Sequence, residues 1–171
     1  MRIERLDQGH QIENFTCDEK VLDDWLRVHA LANQARNLSR THLLVDDADV
    51  VVGYYSLAMG GIAAGDLPGR YGRGLPPIEI GMVLLGRLAV AAAMQGVGLG
   101  RDLLIDAIRV AAAAGELVAA RFIAVDPLDD RARSFYAAFG FRGIPDDPDG
   151  RMFIRIDEAI DALTTTDDPP A

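Results

Sequence analysis

Residues 86–114 read G-R-L-A-V-A-A-A-M-Q-G-V-G-L-G-R-D-L-L-I-D-A-I-R-V-A-A-A-A, and three kinds of local structure follow one another in them. Leu88, Ala89 and Val90 have the apolar character of a buried strand. Gly96, Gly98 and Gly100 interrupt it at spacings that let backbone approach a ligand closely. Leu103, Leu104, Ala107, Ile108 and Ala111 then recur at helical spacing, so a helix is predicted to about Ala114. A helix that opens on such a loop aims unpaired N–H groups, and the positive end of its dipole, at whatever lies there. Strand, glycine turn and helix together predict a binding site for phosphate or pyrophosphate.

On either side of this stretch the pattern is of strands and short helices. Residues 2–6 alternate as a first strand, and Thr16-Cys17-Asp18-Glu19 fits a capping box with Thr16 as N-cap. Val21, Leu22, Trp25, Leu26 and His29 give the helical face behind it, with helix extending through Ala35 and Trp25 as a core anchor. Thr41–Val45 and Val50–Met59 read as antiparallel strands about the turn 46–49. Gly60–Gly74 holds six glycines and two arginines and reads as a mobile loop. Ile78–Val90 and Arg121–Val125 are strands. Asp126 as cap, Pro127 at the first position and Gly140 past the end frame the next helix. Phe141–Gly143 and Met152–Ile156 close the sheet, and Asp157–Leu163 makes a last helical turn. The order predicts an α+β fold, a mixed and mostly antiparallel sheet flanked by helices. Residues 1–163 read as a single domain and residues 164–171 as a disordered tail.

Composition narrows the function. The chain has 171 residues, half of them hydrophobic, which suits one globular domain. No apolar run reaches the ~18 residues of a membrane span, and the N-terminus has no signal core, which places the chain in the cytoplasm with no membrane partner. Cys17 stands alone, and His10, His29 and His42 lack ligand spacing, so no metal site is expected. Eight acids against Arg151 and Arg155 leave −6 from Pro145 onward, so residues 1–144 carry −3 of the total −9. That balance disfavours non-specific nucleic-acid binding while leaving room for a local arginine cluster. Lys20 is the only lysine.

The glycine turn can be tested against known phosphate loops. A nucleotide P-loop requires Gly-Lys followed by Ser or Thr, where this chain has Gly100-Arg101-Asp102. A dinucleotide fingerprint requires a third glycine at position 101, which is arginine. Gln95-Gly96-Val97-Gly98-Leu99-Gly100 instead resembles the acetyl-CoA loop of the GNAT family of N-acetyltransferases. D-D-R-A-R-S-F-Y-A-A-F-G-F, Asp129–Phe141, resembles the helix that closes the cofactor site in that family, with Asp129 where the family often has Asn. The N-terminal run N-F-T-C-D-E-K-V-L-D-D-W-L-R-V-H-A, with R-N-L-S-R-T, V-V-G-Y-Y-S-L and L-G-R-L-A-V, is similar to the GNAT toxins of bacterial toxin–antitoxin pairs. Ala91 departs from the Asp that relatives often carry after L-A-V.

The resemblance implies the GNAT acyl-CoA N-acyltransferase fold. It implies acetyl-CoA as co-substrate, held by Gln95, Gly96, Val97, Gly98, Gly100 and Arg101, with Leu88, Ala89 and Val90 along the pantetheine arm. It implies Tyr136 as the general acid for the departing thiolate, since a phenol is protonated at neutral pH. Asp129 is either a cofactor contact or an acid in a helix first turn, favourable with the dipole. Glu79 is a candidate base or a plain surface carboxylate. The toxin likeness implies acetylation of the amino group on aminoacyl-tRNA, and Arg36, Arg40, Arg70, Arg73 and Arg87 are the candidates to meet the tRNA. It also implies a ribbon-helix-helix antitoxin, operator DNA bound only through the complex with it, and a homodimer. The competing readings are an acetyltransferase of a small amine or protein N-terminus, and an acyl-CoA-binding regulator without turnover.

Overall fold

The computed structural model describes residues 1–166. It has seven strands: β1 (Arg2–Arg5), β2 (Arg40–Val45), β3 (Val51–Ala63), β4 (Glu79–Val90), β5 (Phe122–Val125), β6 (Arg142–Gly143) and β7 (Met152–Arg155). They form one sheet in the order β1-β2-β3-β4-β5-β7-β6. β1 pairs antiparallel with β2, β2 with β3, and β7 with both β5 and β6. Between the neighbours β4 and β5 the chain runs through a long helix, the crossover that parallel strands require. The α+β expectation, a mixed and mostly antiparallel sheet, holds.

The chain forms two compact units. The first comprises Met1–Ala58 and Leu85–Ala107. Its core gathers Leu6, Ile12, Phe15, Leu26, Leu43, Val45 and Tyr54, with Trp25 packed at the margin. Trp25 stacks on Tyr54 with centroids 6.0 Å apart, and Phe15 meets the same ring edge-on at 5.5 Å. Aromatic offset and edge contacts of this kind add to the burial itself. Trp25 is thus the core anchor its spacing suggests. The helical arm runs as α1 (Lys20–Asp24), a π-helical turn (Trp25–Ala30) and α2 (Leu31–Ala35), reaching the predicted end at Ala35. Its start differs from expectation. Glu19, not Thr16, is the N-cap residue, and it makes no side-chain cap bond. The Thr16 hydroxyl instead donates to the buried Asp23 carboxylate and accepts from Asp18 N–H, so it does not serve as the acceptor for Glu19 N–H that a capping box requires. Lys20, exposed at the first position of α1, is ion-paired with Asp24 one turn on. At Gly53 of β3 an added Cβ would lie 2.8 Å from Leu103 Cδ1, so the packing leaves no room for a side chain there.

The second unit comprises Met59–Leu84 and the described residues from Ile108 onward. Leu67, Tyr71, Met82, Phe122, Ala124, Ile144 and Phe153 form its core. α3 (Leu99–Val118) contributes to both units and runs four residues beyond the predicted end. Leu117 and Val118 are exposed, so the apolar face stops before the helix does, and Ala119 ends it at φ +61°. α4 (Asp130–Ala138) is capped by Asp129, whose carboxylate accepts from Ala132 N–H at 2.7 Å. Asp126, expected as that cap, is held instead by a bidentate pair to Arg151 at 2.7 and 3.0 Å. Gly140, at φ +88°, closes α4 as expected.

Two further expectations change. The glycine-rich segment 60–74 is not a loop throughout. Residues 60–63 continue β3, Ala64–Asp66 and Gly69–Tyr71 are 3-10 turns, and Leu67 and Tyr71 are buried. Apolar anchors spaced through a glycine frame order it. The closing helix α5 spans Ile156–Thr166, so residues 164–166, assigned to a disordered tail, are helical; the rest of that tail, 167–171, lies outside the described residues. No helix among the described residues is long and apolar enough to cross a membrane.

Candidate active site

In the first unit β4 ends at Leu88, Ala89 and Val90, with Ala89 buried and its neighbours half-buried. A 3-10 turn, Ala92–Met94, leads to Gln95 and the glycines. Gly96 and Gly98 stand at φ +82° and +94°, in the left-handed region that side chains resist, and an added Cβ at either would meet nothing within 4 Å. These glycines serve backbone conformation and leave open space above it. Gly100 is the second residue of α3. Among the described residues the N–H groups of Gly96, Val97, Gly98, Leu99 and Gly100 have no acceptor, and the first turn closes below them through Arg101 N–H and Asp102 N–H to Gly98 O. Five successive unpaired donors at the N-terminus of a 20-residue helix suit a diphosphate. Arg101 is exposed beside them.

The Gln95 side chain faces inward. Its Nε2 donates to Cys17 O at 3.0 Å and to Val90 O at 3.2 Å, closing the turn on itself and on the N-terminal arm. Ala92 N–H adds a second tie, to Thr16 O at 2.9 Å. Asp23, which sequence reading does not single out, organises that part of the arm. Its Oδ1 accepts from Cys17 N–H at 2.9 Å and from the Cys17 thiol at 3.1 Å, and its Oδ2 accepts from Thr16 Oγ1 at 2.8 Å. Burial alone would raise the Asp23 carboxyl, but these bonds and the Arg27 charge outweigh it and hold the group below its usual range. The Cys17 thiol is pushed up to about 12 by burial and by the carboxylate it faces. Cys17 is therefore inert and structural.

In the second unit Tyr136 is buried within α4, against the rings of Phe135 and Phe141. Among the described residues its hydroxyl has no hydrogen-bond partner, and burial pushes its pKa above the ordinary phenol value. Asp129 is exposed, and one carboxylate oxygen is used by the cap. Glu79 is exposed at the start of β4, packed over Gly61. The 62–68 segment and the β6–β7 connection line a cavity of about 560 Å³, with Ile62, Leu67, Ile144 and Arg151 among its walls. Among the described residues no group of three or more His, Cys, Asp or Glu could hold a metal ion.

The five arginines divide by what holds them. In the first unit Arg36 is exposed, without a side-chain bond among the described residues. Arg40 is tied to the end of α2 and the loop after it through Gln34 O, Ser39 O and the Asn37 side chain. Arg87 is half-buried, lies 5.6 Å over the Trp25 ring, and has an Nε with no partner among the described residues. In the second unit Arg70 bonds the Tyr71 hydroxyl at 3.0 Å and Glu158 at 3.1 Å, while Arg73 is exposed without a partner among the described residues.

Comparison with known proteins identifies the family. The family model of the acetyltransferase (GNAT) family matches residues 6–141. A tRNA-acetylating toxin of Mycobacterium tuberculosis (strain ATCC 25618 / H37Rv) is 42% identical over 145 residues, which are 84% of this chain and 86% of that protein. AtaT complexed with acetyl-methionyl-tRNAfMet superposes with a TM-score of 0.86 at 27% identity, covering 95% of this chain and 98% of that one. A mutant AtaT toxin bound to the C-terminus of the antitoxin AtaR and acetyl-CoA gives 0.79 at 25% identity, covering 95% and 97%. With a strand, a donor-lined glycine turn and a helix at its centre, and a family match across most of its length, this chain belongs to the GNAT acetyltransferase family.

Proposed function

We propose that this chain is a toxin of a toxin–antitoxin pair that transfers the acetyl group of acetyl-CoA to the free α-amino group of aminoacyl-tRNA, blocking translation. The observation that carries the reading is the run of five unpaired N–H groups from Gly96 to Gly100, in a chain 42% identical to a tRNA-acetylating toxin. Residues 1–163 act as the acetyltransferase domain, in the cytoplasm. A ribbon-helix-helix antitoxin neutralises it, and operator DNA is reached only through that complex.

Acetyl-CoA, when bound, supplies an acetyl group on a good leaving group. The chain's own residues do the rest. The N–H groups of Gly96, Val97, Gly98 and Gly100 hold the pyrophosphate, with Arg101 as the charged contact. Gln95 shapes the turn from within, through its side-chain bonds to Cys17 and Val90. Leu88, Ala89 and Val90 offer backbone groups to the pantetheine arm and a donor to the thioester carbonyl. Tyr136 keeps its proton through neutral and mildly alkaline pH and gives it to the departing thiolate. Asp129 orders the first turn of α4 by capping it. The α-amine of an aminoacyl ester is of lowered basicity and attacks as the neutral amine. As its nitrogen bonds the acetyl carbon and the C–S bond breaks, the proton it sheds goes to solvent water and solvent restores the Tyr136 proton, so little base assistance is required. Arg36, Arg73 and the exposed edge of Arg70 meet the tRNA backbone; Arg40 and Arg87, engaged within the fold, contribute field more than contact.

Incubation with labelled acetyl-CoA and total charged tRNA, followed by nuclease digestion, tests the reading. Label on the amino group of an aminoacyl-adenosine is the expected product. Label on no tRNA overturns it, and transfer only to a small amine or a protein N-terminus would make the chain an acetyltransferase of another substrate class.

A further inference from the structure

A buried carboxylate beside the glycine turn has no part in the chemistry above. Asp23 is 5% exposed, sits in α1 and gathers three donors from Thr16 and Cys17. The carbonyls of those same two residues face the other way, onto Ala92 N–H and Gln95 Nε2. Asp23 therefore holds the Thr16–Cys17 peptide unit by its N–H and both residues by their side chains, while their carbonyls fix the approach to Gly96. A carboxylate that served only to cap α1 would have no reason to bind residues whose carbonyls reach another segment.

From this we infer that Asp23 is a positioning residue for acetyl-CoA: through Thr16 and Cys17 it sets the path of Ala92–Gln95, and so the direction in which the unpaired N–H groups of 96–100 point. The inference rests on the reading of that turn as the acetyl-CoA cradle. The donors make no contact with Asp23, so their loss of alignment, and not a lost ligand bond, is what its removal produces. Each donor acts as a directed dipole, and hydrogen bonds weaken steeply as their angle degrades.

The test measures acetyl-CoA binding by titration calorimetry, with KM and kcat, on the full chain. Asp23→Ala is expected to raise Kd and KM for acetyl-CoA by about tenfold while kcat at saturation stays within about twofold. Asp23→Asn, which keeps one acceptor oxygen, recovers part of that loss. If Asp23→Ala fails to fold, Thr16→Val removes a single bond of the three and should raise Kd by about two- to threefold. Combining Asp23→Asn with Gln95→Leu should cost less than the product of the two single effects, because both act through Cys17. Unchanged Kd in the folded variants, or strictly multiplicative effects, overturns the inference. Gly98→Ala separates the two levels: it forces a side chain into the left-handed region, and if it binds acetyl-CoA as tightly as the native chain, the cradle reading itself fails.

Discussion

Tyr136 and Cys17 are both buried acids, and their surroundings set opposite fates for them. Tyr136 has no internal partner among the described residues, so its proton is committed to nothing within the fold. Tyr136→Phe removes the hydroxyl and keeps the ring packed on Phe135 and Phe141; turnover should fall about 10²-fold or more at saturating acetyl-CoA, with acetyl-CoA Kd unchanged by calorimetry. Undiminished turnover would remove it as the general acid. Cys17 keeps its proton and donates it in a hydrogen bond to Asp23, and burial beside that carboxylate pushes its pKa up to about 12. In the native chain at pH 7.5 iodoacetamide should therefore leave it unmodified for hours, and label it at once in denaturant; rapid native labelling, read by mass, would contradict the geometry.

At the scale of elements, caps and anchors decide how ordered a segment is. Removing the α4 cap with Asp129→Ala should cost about 1 kcal/mol in chemical denaturation, from the loss of the bond to Ala132 N–H. The turn 69–71 is held from outside: Tyr71 meets Phe153 edge-on at 5.1 Å and its hydroxyl lies among Arg70, Arg142 and Glu158. Arg73 has none of these ties, so Arg70→Ala with Arg73→Ala should weaken tRNA binding and flatten its salt dependence, while acetylation of a small amine stays close to native. The same contrast explains what was legible beforehand. The glycine turn could be read because positive φ at Gly96 and Gly98 is a demand on single residues, and the helix after it because its apolar period is local. Segment 60–74 could not, since Tyr71 is buried by partners 71 and 87 positions away. Nor could Asp23, because T-C-D-E matches a capping box and nothing in that spacing says that a later carboxylate takes the Thr16 hydroxyl.

The molecule as a whole carries two histidines that respond to acid in opposite senses. His42 stacks on Tyr55, which donates to Asp106; burial lowers its pKa, and the nearby Arg5 adds to this against the pull of Asp106. Its folded state resists protonation, so that contribution is complete above about pH 6.5 and is lost as pH falls below it. For His10 burial pulls the pKa down, but the Glu4 bond and the Asp7 charge outweigh it and raise it; its contribution is complete below about pH 6.5 and fades above. His42→Gln should therefore make the melting temperature decline less between pH 6.5 and 5, and His10→Gln should lessen the decline as pH rises from 6.5 to 8. Identical profiles for the two variants would show that neither shift is coupled to folding. Lys20 is the only side-chain amine in the chain, and Asp24 holds it as an ion pair. A catalyst whose acceptors are neutral amines thus offers itself few acceptors: besides the Met1 α-amine, which pairs with Asp47, auto-modification of side chains should be confined to Lys20, and amine-directed dyes should label these two positions, the α-amine first at neutral pH.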